Sequence, residues 1–294
     1  MTTTRRRGAR SLLTGATVAM VAVLGGVQLV AATGPSTVGL GTAAPFAVLA
    51  GTPKVASTGA TVINGNLGVS PAAAVTGFPP GIVHGTIHKA DAIALQAQSD
   101  LTTAYTDAAG RPVTAIHGTL GGLTLAPGVY NAGGVALDLT GTLTLNAHND
   151  PHAVWIFQAT SALVTASSSR VKLINGASSC NVFWQVTSSA TLGSGSTFVG
   201  TIMALTSITM ANGVTLHGRA LARNGLVSLI NDRITSTTCF GSGTGPRATQ
   251  SPTDAVGPID VPSPVPSPAV FVLGFLVAFL IVGHLLRTRA SSPR

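Results

Sequence analysis

Glutamate is missing altogether: all eight acidic residues of this 294-residue chain are aspartates. Charged side chains make up only 8% of it and aromatic ones 4%, so chemistries that need dense charge or stacked rings are short of material. A glycosidase needs two carboxyl groups flanking the scissile bond. Asp91, Asp100 and Asp107 share one alanine-rich stretch, Asp254 and Asp260 fall in a Pro/Ser-rich one, and Asp138, Asp150 and Asp232 stand apart from each other. No GxSxG elbow is present either. The only cysteines, Cys180 and Cys239, have no CxxC spacing and leave a zinc site without identifiable ligands. The pairs His84/His88 and His148/His152 are four apart, but neither lies in a helical pattern beside a carboxylate cluster, and they read as surface or loop histidines. Trp155 and Trp184 occupy apolar alternation positions and read as core. No enzyme, cofactor or metal is expected.

The net charge of +8 has a topological origin. Arg5, Arg6, Arg7 and Arg10 precede an apolar run from Leu12 to Val30 that ends in Ala31 and Ala32, the build of a secretory signal. A second apolar run, Ala269 to Leu286, is followed by Arg287, Arg289 and Arg294. As a helix it would reach about 27 Å, enough to span a bilayer. The Pro/Ser/Gly-rich stretch before it reads as a semi-rigid spacer. Between the runs, basic and acidic residues nearly balance and the arginines are scattered, so nucleic acid is not an expected partner. The expected organisation is a signal segment (1–32), a folded domain (33–240), a spacer (241–268), a C-terminal transmembrane helix (269–286) and a basic cytoplasmic tail (287–294). Its expected location is the extracellular side of the cell membrane, with the lipid bilayer as a partner through residues 269–286.

What the domain does have is a repeat. Asn181 to Leu192, Val199 to Met210 and the stretch from His217 align at an 18-residue spacing without a gap. A unit this short cannot bury an apolar face alone, so its neighbours must stack into a β-solenoid. Ala153 to Ala166 resembles the later units at an offset of 27, the extra nine residues being read as a longer corner around 167–179. From Lys89 to Ala109 the pattern turns helical, with Ile93, Ala97, Leu101, Ala104 and Ala108 on one stripe and Gly110 with Pro112 as the stop. The cysteines bracket the tightest repeats, and a disulfide between Cys180 and Cys239 is expected in an oxidising compartment.

Several strings taken together, GVSPAAAVTGFPPGIVHGTIHKADAIALQAQSDLTTAYTDAAGR, LGGLTLAPGVY, DPHAVWIFQ, SATLGSGSTFVG, MALTSIT and GRALARNG, resemble the bacterial ice-binding protein family over about residues 43–239. The resemblance implies a mainly β fold: an irregular right-handed β-solenoid of roughly triangular section with one long α-helix packed alongside. It also implies that the N-terminal part is stacked out of chain order against the C-terminal coils, and that a flat face of parallel strands adsorbs to an ice crystal surface.

Alternation suggests which face. The columns Leu163/Ala190/Ile208/Leu226 and Leu192/Met210 should point inward, leaving Ala162, Ser189, Ser207 and Gly225 in one outward column and Val164, Thr191, Thr209 and Val227 in the next. The family's stronger ice binders carry a Thr-Ala/Gly-x-Thr/Asn motif, which Thr58-Gly59-Ala60-Thr61 fits, so Thr58 and Thr61 join the expected ice-binding face. The valines interrupt the hydroxyl rank. The alternative is a non-catalytic surface adhesion or envelope-spacer module that binds cell-envelope polymer or another cell.

Overall fold

The structure, a computed structural model, describes residues 34–237 together with Thr2. Short strands wind into coils of three sides, and each side stacks on its neighbours as a parallel sheet. Three faces result. The first runs through Gly128–Asn131, Trp155–Ala159, Val182–Val186 and the second halves of Thr197–Ala204 and Thr215–Ala222, then on to Phe46–Ala50 and Asn66–Val69. The second is a separate seven-stranded sheet from Leu137–Leu139 to Ala74–Thr76. The third includes Thr142–Asn146, Arg170–Ile174, Arg233–Thr235, Val62–Asn64 and Ile82–His84.

Coil length explains the two spacings seen in the sequence. Trp155 pairs with Val182 and Arg170 with Thr197, both at an offset of 27, whereas Phe198 pairs with Leu216 and Ile202 with Ala220 at an offset of 18. In the short coils the third-face strand runs on around the corner into the first face through Gly200 and Gly218, whose φ values are 107° and 155°. A Cβ at Gly218 would overlap the backbone of Gly200, so the corner needs glycine. In the long coil the extra residues extend Arg170–Ile174 and form the corner holding the short helix Ser179–Asn181.

Inside, each inward column forms a ladder. Tyr130, Phe157, Trp184, Ile202, Ala220 and Val48 lie in successive register, and the Phe157 and Trp184 rings stack at 4.1 Å and 12°. Both tryptophans are fully buried, and their indole N–H groups donate to Leu125 O and Val199 O, so neither is left polar and unpaired in the core.

The helix spans Ala92–Ala109. Asp91 caps it, accepting from Ala94 N at 2.8 Å. Ala97, Leu101, Ala104, Tyr105 and Ala108 pack on the outward side of the first face, against Phe46, Leu49, Ile156, Phe183, Met203 and Leu221. The expected stripe is corrected at its start: Ile93 is 54% exposed and Ala94 takes the buried position.

Chain order and stacking order differ. Phe46–Ala50 pairs with Thr215–Ala222, and Lys54–Thr58 pairs with Val227–Ile230. The first coils are thus docked onto the last ones.

The membrane-anchored expectation is corrected. Among the described residues no helix is long and apolar enough to cross a membrane. The run at 269–286 lies outside those residues, as do the spacer, the tail, Cys239 and, Thr2 apart, residues 1–33. The transmembrane helix, the bilayer partner and the anchored location are therefore withdrawn.

Candidate functional site

With the helix covering the first face, two faces remain open, and their outward side chains differ in kind. The third bears Arg170, Lys172, His217, Arg233 and His84, all exposed. Such long side chains cannot present a plane. The second face can. Its central outward column runs Asp138, Val164, Thr191, Thr209, Ser228, Ala56, Thr76 in unbroken register. Strands in such a ladder are about 4.8 Å apart, so four hydroxyls and several methyl groups recur at nearly constant height.

The flanking column is set by the ladder bonds Leu137 N to Ala162 O, Leu163 N to Ser189 O, Ala190 N to Ser207 O and Ile208 N to Leu226 O. It presents Ala162, Ser189, Ser207 and then Leu226, with Ser189 Oγ and Thr206 Oγ1 hydrogen-bonded at 2.7 Å. The side chains under this face are apolar: Leu137, Leu163, Ala190, Ile208, Val227 and Val55. A dry core directly beneath short β-branched side chains holds them in few rotamers, and the plane is rigid for that reason. The one carboxylate on it, Asp138, lies on the sheet's edge strand and accepts from Thr140 Oγ1 at 3.0 Å. Among the described residues no group of three or more His, Cys or Asp side chains gathers as a metal site would require.

Residues 48–235 match the model of a family described as ice-binding-like. The chain belongs to the ice-binding-like family. An ice-binding protein of Nostoc sp. (strain HG1) is 48% identical over 185 residues, covering 61% of this chain and 67% of that protein. One from Colwellia sp. is 35% identical over 212 residues, covering 66% and 82%. Among solved structures, an ice-binding protein from an Antarctic biological consortium superposes with a TM-score of 0.67 at 46% identity, covering 69% of this chain and 92% of that one. That of the Antarctic ascomycete Antarctomyces psychrotrophicus also gives 0.67, at 39% identity, covering 69% and 100%.

Against this ice-binding-like scaffold, Ala162, Val164, Ser189, Thr191, Ser207 and Thr209 sit at outward positions of the second face, and so does Thr58 on the docked first coil. Three expected positions are corrected. Val227 is fully buried and pairs with Ile208, so it points into the core. The gap-free 18-residue alignment misplaces it because one extra residue enters between Ala222 and Val227: Ala204 pairs with Ala222 at 18, but Ile208 pairs with Val227 at 19. Gly225 is in that corner, where an added Cβ would come within 2.5 Å of Thr206 O. Leu226, expected inside, consequently faces outward and Ser228 replaces Val227 in the central column. Thr61 is fully buried, because the chain turns at Gly59 (φ 78°) before reaching it.

Ser228, Ala56 and Thr76 were missed. Only the docking of the first coils beside Val227–Ile230 puts Ala56 and Thr76 in line, and no local signal carries that.

Proposed function

We infer that this protein binds ice, adsorbing through the second face without catalysis. The observation that carries the reading is the central column from Val164 to Thr76, short side chains in register on one face of the solenoid, whose other open face is charged and uneven. Ice offers no protrusion to enter a pocket, so its recognition requires a plane with hydroxyls and methyls at repeated spacings. The site comprises Ala162, Val164, Ser189, Thr191, Ser207, Thr209, Ser228, Ala56, Thr58 and Thr76. Growth control or adhesion to ice follows from occupying the crystal surface. Export directed by residues 1–32 belongs to the same reading.

Thr209 is the test position. It is exposed, midway along the column, between Thr191 and Ser228. Thr209→Tyr should abolish most thermal hysteresis and ice shaping, because a ring at that height holds the neighbouring coils off the crystal. Stability should change by no more than about 0.5 kcal/mol, as for exposed substitutions, since aromatics suit strands. Full ice activity in this variant, with an unchanged melting curve, would discard the second face as the site.

A further inference from the structure

The third face collects cations that are far apart in the chain. Arg170 pairs with Thr197, Thr197 with Thr215, and Thr215 with Arg233, so the two guanidinium groups lie in one column about 14 Å apart at the usual strand spacing. Lys172 is exposed two residues beyond Arg170, on the same side of its strand. A shallow groove runs past Thr142, Arg170, Lys172 and Thr197. No strand of this face contains an aspartate, and the Arg–Asp ion pair among the described residues, Arg111 with Asp107, belongs to the helix. The positive charge is therefore unopposed where it stands. The positions between the two arginines are polar but uncharged, Thr197 and Thr215, and Thr235 and Asn64 continue the polar surface beside and beyond Arg233.

We propose that this face binds a linear acidic polysaccharide laid along the solenoid axis, its carboxylates on Arg170, Lys172 and Arg233 and its hydroxyls on the threonines between them. Charge complementarity selects a polyanion. The spacing selects its kind, because cations separated by hydroxyl-bearing coils fit a polymer whose acidic groups are separated by sugar hydroxyls. Single-stranded nucleic acid would call for stacking aromatics, and no Phe, Tyr or Trp occupies an outward position here. An anionic bilayer would call for a cluster of apolar anchors beside the cations; one exposed apolar side chain, Ile82, stands in the Arg233 column two strands on, past Val62, whereas the positions between Arg170 and Arg233 are threonines. The face is distinct from the one assigned to ice, so a single molecule can hold both partners, and this inference does not depend on the ice reading.

The test titrates the full chain with sodium polygalacturonate at about 20 and about 200 mM salt, with dextran as the neutral polymer and oligo-dT as the competing polyanion. Polygalacturonate should bind at low salt and weaken at high salt, and dextran should not bind. The variant Arg170→Gln/Lys172→Gln/Arg233→Gln should lose roughly tenfold or more in affinity, as expected when several interfacial charges go, while keeping its thermal hysteresis. Thr209→Tyr should behave oppositely. If the triple variant does not fold, Arg170→Gln and Arg233→Gln must each weaken binding alone. Absence of binding at low salt, undiminished binding by the triple variant, or oligo-dT bound as tightly as polygalacturonate would each overturn the proposal.

Discussion

Asp232 is 1% exposed at the corner between the second and third faces. Its two carboxyl oxygens accept from Val214 N and Ile230 N, each at 2.8 Å. Its own N–H donates to Thr61 Oγ1 and its carbonyl accepts from Val62 N. One residue therefore ties the preceding coil, its own coil and the docked first coil together. Thr61, which the motif in the sequence places on the ice face, serves that junction instead. Burial pushes the Asp232 carboxyl up to about 7 against the opposing pull of the two N–H groups. A raised pKa means that the folded state binds the proton more tightly than the unfolded chain does. Asp232 thus adds most stability below about pH 4, the ordinary carboxylate value, and loses it as pH climbs through about 7. Asp91 and Asp100 are lowered, chiefly by backbone N–H bonds from Ala94 and Thr42, so their contribution is lost only at acid pH below that window. The melting temperature should fall between pH 5 and pH 8, and Asp232→Asn, which cannot titrate, should flatten that slope whatever it does to the absolute value. An equally steep slope in the variant would assign the dependence elsewhere.

At the scale of elements, the helix was largely readable and the strand register only in part. Alanine-rich 3.6-residue periodicity, with Gly110 and Pro112 after it, locates Ala92–Ala109 within a few residues. Ile93 misleads because at the first turn the buried position falls one residue later, on Ala94, and leaves Ile93 facing outward. The inward columns were readable wherever coils kept one length, but the one-residue excess between Ala222 and Val227 produces no composition signal and reverses the side chains of Val227–Ile230 before the 18-residue offset returns at Arg233. The same geometry separates two kinds of helix substitution. Asp91→Ala removes the cap and the 2.7 Å contact with His88 and should cost about 1 kcal/mol, as lost caps do. Leu101→Ala empties a fully buried position between the helix and the first face and should cost about 2–5 kcal/mol. Chemical denaturation of both variants would check the order, and a larger loss at Asp91 would mean that the cap, not the packing, holds the helix in place.

For the whole molecule, the deepest feature hidden from the sequence is that its first coils close against its last. Chain order says nothing of which strands neighbour Thr215–Ala222, and the family resemblance alone implied the insertion of Phe46–Ala50 there. The structure shows what holds the junction. Arg219, 3% exposed, donates through Nε to Ala44 O at 2.7 Å and through a terminal nitrogen to Thr237 O at 2.8 Å, so one buried guanidinium grips both the entering and the leaving chain. Thr237 also meets Ser179, their hydroxyls 3.1 Å apart, which brings the leaving chain beside Cys180. Cys180 is disulfide-bonded, and the chain has one other cysteine, Cys239, two residues past the described segment. Peptide mapping under non-reducing conditions should recover the Cys180 and Cys239 peptides joined. In the chain-entropy picture, closing a loop of about 60 residues stabilises by about 4 kcal/mol. Reduction, or Cys180→Ser with Cys239→Ser, should accordingly lower the unfolding free energy by a few kcal/mol while ice activity below the new transition persists, because Cys180 lies in the corner helix Ser179–Asn181 and not on the second face. Two alkylatable thiols in folded, exported protein would refute the pairing, and the junction would then rest on its strand pairing and on the bonds of Arg219 and Asp232.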